Sequence, residues 1–233
     1  MEQYQNMLNR SNDGVTLRAI LIGFVMIPVN VYLVVQWESV WGAQYPTTMA
    51  IFFNAVFCLM FAVIANFAIK KIIKRHALNQ RELLTIYIIL IMSITVSGHD
   101  FSQSLFCTLG TSKWFATPEN EWQSLFWRYV PSWLSVNDDK VLRGFYEGES
   151  TIFNISHIKG WLKPMLWWTF FLTVITFVTI CINVIIRKQW IEREKLTYPL
   201  TQLPYEMTRM DSFRSFYGNR LLLIGFCVAL CIG

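Results

Sequence analysis

The stretch TVSGHDFSQSL, residues 95–105, follows LLTIYIILIMSI, residues 83–94, without a break. Its reading decides the fold, because it sets His99 and Asp100 inside a run that otherwise crosses a membrane. If one unbroken helix runs from Glu82 to Leu109, about 100° per residue brings Ser93, Ser97, Asp100, Ser104 and Thr108 onto one narrow face. Asp100 then lies roughly 27 Å along the helix from Glu82, in the outer half of the bilayer. A carboxylate in hydrocarbon costs roughly 3 kcal/mol or more near the centre. Three accounts make Asp100 tolerable: it is protonated, it is paired with a cation such as His99, or it lines a wet cavity. A fourth, purely structural, has Ser93 and Ser97 as small helix contacts and Asp100 capping a break at Gly98.

The rest of the chain sets that run among others like it. Of 233 residues, 54% are hydrophobic and 15% charged, well below the roughly 25% charge of soluble domains. Apolar residues gather into long runs at about 15–37, 47–69 and 164–186, each above the roughly 20 residues needed to span about 30 Å. With 82–109 these make four crossings. The run from 220 to 233 stops at the last residue and reads as the start of a fifth, so the chain looks cut short; a half-inserted end packed on a partner subunit is the alternative. The fold class expected is all-α: a polytopic transmembrane helix bundle with an interfacial amphipathic loop, apparently truncated.

Orientation follows from the positive residues. Seven Lys and Arg lie between the fourth crossing and Leu221, five between the second and third crossings, and none between the first and second. The N-terminus is therefore expected in the cytoplasm. On that topology 110–163 is an extracytoplasmic loop and 187–219 a cytoplasmic one. The outer loop holds five of the ten tryptophans, as suits an interface. Thr117 and Pro118 there predict the N-cap and first residue of a helix with Trp122, Leu125, Phe126, Tyr129 and Val130 on one face. A second short helix is expected to end near Gly144, with a turn at Gly148. Asn154-Ile155-Ser156 matches a glycosylation tripeptide, a common chance pattern.

Candidate pathway residues come from two stripes. Beside Ser93, Ser97, Asp100 and Ser104, the fourth crossing carries Thr169, Thr173, Thr176 and Asn183 on about a third of its circumference. Pro28 predicts a kink in the first crossing, next to Asn30. Tyr198, Pro199 and Pro204 frame a segment expected to be partly unwound or re-entrant. Glu38, between Trp37 and Trp41, reads as a solvated boundary residue.

No HExxH, GxSxG or phosphate-binding glycine loop occurs, and the five cysteines lack metal-ligand spacing, so neither an enzyme nor a cofactor is expected. The net charge of +5 reports membrane orientation, not nucleic-acid binding. The expected partners are the lipid bilayer and the remaining C-terminal part of the protein or other membrane subunits, with a small-molecule substrate left unidentified.

The segments TLRAILIGFVMIPVNVYLVVQWE (16–38), GHDFSQ (98–103), WFATPENEW (114–122), VLRGFYEGES (141–150) and EREKLTYPLTQLPYEM (192–207) together resemble an uncharacterised prokaryotic family of large multi-pass membrane proteins. That family is distantly similar to oligopeptide transporters, through Thr16, Leu17, Arg18, Ala19 and Gly23 and through Leu196, Tyr198 and Pro199. The resemblance implies an ion-coupled transporter of a peptide-like or chelate solute; a non-transporting membrane scaffold or assembly subunit is the alternative. Leu200, Thr201 and Gln202 depart from the small residues that oligopeptide transporters often carry after that proline.

Overall fold

The computed structural model describes residues 15–42, 45, 47–48, 52–73, 76–151, 153–194, 198–209 and 216–232; among these every regular element is a helix. Four helical stretches are long and apolar enough to cross a membrane: Leu17–Val40, Phe53–Ile72, Gln80–Trp114 and Ile155–Arg193. The chain divides into two compact units, one of Met1–Ser102 with Tyr198–Gly233, the other of Gln103–Thr197.

The first unit is built on α1 (Leu17–Val35), α2 (Phe53–Ile72) and α3 (Gln80–Ser97). Thr16 caps α1 by accepting the Ala19 N–H at 3.3 Å. Asn79 opens α3, where the Glu82 carboxyl takes the Asn79 N–H at 2.7 Å. Val34, Ala55, Cys58, Ile86, Leu90 and Ile94 form the core between the three, with Leu59, Val63 and Leu83 as a second cluster. The helices approach closely at Gly23, where an added Cβ would stand 2.6 Å from Ile89 Cδ1. That methyl ends a flexible side chain, and alanine gains about 1 kcal/mol of helix propensity over glycine. Gly23→Ala is therefore expected to shift the melting temperature by less than about 3 °C, read by tryptophan fluorescence on heating.

Two expectations for this unit are corrected. The third crossing is not one helix over 82–109: α3 stops at Ser97, Gly98 is extended (φ −70°, ψ 169°), and a π turn over His99–Gln103 follows. A continuing helix would bond the His99 N–H to the carbonyl four residues back; instead Glu38 takes it at 2.9 Å. Pro28 lies inside α1, which passes directly into a π turn at Gln36–Val40. The second begins at Phe53 and not at 47, because Thr47 is turned toward Glu38.

The segment at Tyr198 to Pro204 is likewise not unwound. It is a regular helix, α8 (Pro199–Thr208), with Pro199 in the first turn, where its missing N–H costs nothing. Pro204 and Thr208 are buried, and Gln80 donates to the Tyr205 carbonyl at 3.1 Å. Leu196 lies outside the described residues. The apolar end forms α9 (Arg220–Ile232).

The second unit comprises α4 (Ser104–Trp114), α5 (Trp122–Leu125), a 3-10 turn (Trp127–Tyr129), α6 (Asp139–Tyr146) and α7 (Ile155–Lys188). Leu109, Val136, Val141 and Leu142 are its core, walled by Trp114, Tyr146, Trp161 and Trp168. Indole N–H groups tie the loop down: Trp127 donates to the Ser112 carbonyl at 2.7 Å and Trp168 to that of Leu134 at 3.2 Å.

Here too the helix limits differ from expectation. Thr117 does exchange capping bonds with Asn120, but Asn120 also accepts the Trp122 N–H and donates to the Phe115 carbonyl, folding the chain into a turn. Glu121 is left-handed (φ 51°), and after it come four α-helical residues in α5 and then the 3-10 turn, not one amphipathic helix. The second short helix runs on to Tyr146, and Gly148 makes the turn with φ 83°. The helix that carries the fourth crossing begins nine residues before Pro164, because Asn154 caps it by accepting the Ser156 N–H.

Candidate functional site

The interior of the first unit carries three layers of polar side chains. Arg18 and Glu38 stand 20 residues apart on α1 and its π turn, which is roughly 30 Å of helix, the thickness of the hydrocarbon layer. Each lies in one of the outer layers.

At the first end, Glu82 is 4% exposed and meets Arg18 at 2.8 Å, while accepting the Thr16 hydroxyl at 2.6 Å. Arg18 also reaches the His76 and Ala77 carbonyls, so one guanidinium joins the start of α1 to the turn between α2 and α3. Asn66 completes that turn by exchanging two hydrogen bonds with Leu78.

At the second end, Glu38 is 4% exposed. One oxygen accepts the Thr47 N–H at 3.0 Å and the Thr47 hydroxyl at 2.6 Å; the other accepts the His99 N–H. An added Cβ on Gly98 would sit 2.6 Å from Thr47 Cβ, so only glycine lets Thr47 close against the end of α3. The Tyr45 ring covers the His99 imidazole at 4.5 Å between centroids.

Between the two ends, Asn30 is fully buried and donates to the Leu90 carbonyl at 3.2 Å and to Ser93 Oγ at 3.0 Å. Cys58 turns its thiol to Asn30 Oδ1 at 3.6 Å. Asn54 lies one helical turn from Cys58 on the same face of α2, displaced toward the Glu38 end. It is 2% exposed, and neither its amide nitrogen nor its amide oxygen has a hydrogen-bond partner. A buried amide left in that state costs about 1–3 kcal/mol, and one present in a folded protein calls for an explanation.

Of the residues singled out from sequence, the structure brings Asn30 and Ser93 together. Ser97 is half-buried and returns its hydroxyl to the Ile94 carbonyl. Asp100 is exposed on the π turn past the end of α3, and Ser104 is exposed at the start of α4, so the stripe is not one helical face. On α7, Thr169, Thr173 and Asn183 are exposed and Thr176 is half-exposed. Thr173 and Asn183 bond carbonyls of their own helix, as hydroxyls and amides facing hydrocarbon do. Glu38 corrects the expectation of a solvated boundary residue. It shares the inner face of α1 with Asn30 and Val34, at spacings of four, a signal the sequence does carry.

Among the described residues no three His, Cys, Asp or Glu side chains gather where they could hold a metal ion. A family model described as a family of unknown function (DUF6785) matches residues 9–233. The chain belongs to that family. No curated protein and no solved structure matches it. The DUF6785 match takes in both compact units and all four apolar spans. This DUF6785 member is an integral membrane protein with an all-α architecture.

Proposed function

We propose that the chain forms part of an ion-coupled secondary transporter for a peptide-like or chelate solute, in the prokaryotic cytoplasmic membrane with its N-terminus inside. The observation that carries this reading is the amide of Asn54, buried and bonded at neither end within a bundle whose outside is apolar. Such a group is retained where something that passes or docks completes it. An amide donates and accepts as a peptide group does, so Asn30 and Asn54 suit a solute made of peptide units. The resemblance at Thr16 to Gly23 and at Tyr198 and Pro199 supports the same solute class, and the bias of Lys and Arg supports the orientation.

Glu38 takes the coupling role in preference to Asp100, because it is sheltered at the end of a broken helix while Asp100 is exposed. The test is uptake of labelled tripeptides and of iron chelates by the complete protein in proteoliposomes, under an imposed proton or sodium gradient. Glu38→Gln is expected to slow accumulation about tenfold or more in protein that still elutes as a folded species, and Asp100→Asn to leave it within about twofold. Folded protein that accumulates neither solute class under either gradient refutes transport. A non-transporting scaffold is the second reading, favoured by α7, whose side chains from Leu166 to Lys188 lie largely exposed. Stable protein partners crosslinked along that helix, with no uptake, would select it.

A further inference from the structure

The second unit holds a cleft of about 490 Å³ between α6 and the first turns of α7, remote in character from the amides discussed above. Lys140, Arg143, Glu147, Glu149 and His157 line it, with Ser150 and two glycines. We propose that this cleft binds the headgroup of a zwitterionic phospholipid that carries a phosphodiester and a primary ammonium, as in phosphatidylethanolamine.

Depth comes first. α7 has 34 residues, roughly 51 Å of helix against about 30 Å of hydrocarbon. Arg187 and Lys188 mark one boundary, and about 20 residues back from them Trp161, Trp167 and Trp168 mark the other. The first turns of α7, with His157, Lys159 and Lys163, therefore project into the headgroup layer.

Rigidity comes second. A Cβ on Gly160 would stand 2.8 Å from Val141 Cγ2, and one on Gly144 would collide with the His157 ring. α6 and α7 are thus pressed together at two glycines, which fixes the walls of the cleft.

Charge decides the ligand. Two cations, Lys140 and Arg143, face two carboxyl groups, Glu147 and Glu149, so the formal charges of the lining cancel. Arg143 and Glu147 are 3.6 Å apart and both exposed, a pair too weak to withhold either from a ligand. A bare phosphate would meet two carboxylates, and a metal ion would meet Lys140 and Arg143. A ligand with both signs a few ångströms apart satisfies the whole lining: its phosphate meets the cations, and its ammonium hydrogens meet Glu149. Choline has no such hydrogens and is held by aromatic cages, and this lining has no Trp, Tyr or Phe ring. Phosphatidylglycerol offers the carboxyl groups only neutral hydroxyl donors, without the charge of an ammonium.

The test uses the complete protein in nanodiscs of equal parts phosphatidylethanolamine, phosphatidylglycerol and phosphatidylcholine, released for native mass spectrometry. Phosphatidylethanolamine is expected to be retained about tenfold over the other two, the factor of roughly one charge-assisted contact. Lys140→Ala with Glu149→Ala, both at exposed positions, is expected to abolish that preference with the melting temperature unchanged. Lys159→Ala with Lys163→Ala, outside the lining, is expected to keep it. Equal retention of the three lipids, a preference that survives the Lys140 and Glu149 changes, or diglycine binding there without lipid selectivity would each overturn the proposal.

Discussion

Glu38→Leu is expected to lower the melting temperature of the complete protein by about 6–12 °C, at roughly 2–4 °C per kcal/mol for a chain of this size. The side chain accepts from Thr47 twice and from His99 once. Leucine leaves two backbone N–H groups and the Thr47 hydroxyl without their acceptor, each worth about 1–3 kcal/mol when buried. Both residues are half-buried, so water reaches them in part and the lower end, about 3 kcal/mol in total, applies. Gly98→Val attacks the same contact from the other side, because its first carbon meets Thr47 at 2.6 Å. Since both changes open one clasp, the double variant should fall short of the sum of the single ones, and heating scans followed by tryptophan fluorescence measure all three. A loss of under about 2 °C for Glu38→Leu would show that the clasp does not hold the end of α3.

That clasp also shows what a sequence can and cannot carry. The four apolar spans are legible because length and hydropathy are local, and Ser93 is legible because helix periodicity puts it on an inner face. The break at Gly98 is not, since the stripe from Ser93 to Thr108 fits an unbroken helix and the acceptor that ends it lies 61 residues earlier, at Glu38. Glu38 itself is masked by Trp37 and Trp41, whose rings mark an interface and so suggest water. The start of α7 hid in a similar way. Asn154 reads as a glycosylation acceptor or a cap with equal ease, and Pro164 looks like a first residue although a helix already under way tolerates it. At Thr117 the local signal was real and the capping bonds form, but Asn120 spends its amide on the turn instead of the helix. At Gly98 and at Thr117 a long-range or competing hydrogen bond overrides a correct local preference.

Asn54→Leu is expected to raise stability and remove function at once. Leucine keeps asparagine's branching at Cγ with no polar atom, so it relieves the amide of its missing partners, worth about 1–3 kcal/mol; its bulkier methyl groups crowd the site and offset part of that, leaving a rise of roughly 2–4 °C. Uptake by the same preparation should fall about tenfold or more, because the group that would greet the solute is gone. A residue kept for packing alone cannot give that pair of results, whereas one that the fold carries at a cost for the sake of binding must. Asn30→Leu provides the contrast. Its amide is already bonded to Leu90 and Ser93 and accepts from Cys58, so its loss should destabilise the bundle instead. If Asn54→Leu leaves uptake intact while the protein becomes more stable, the open amide is a packing defect and the transport path runs elsewhere.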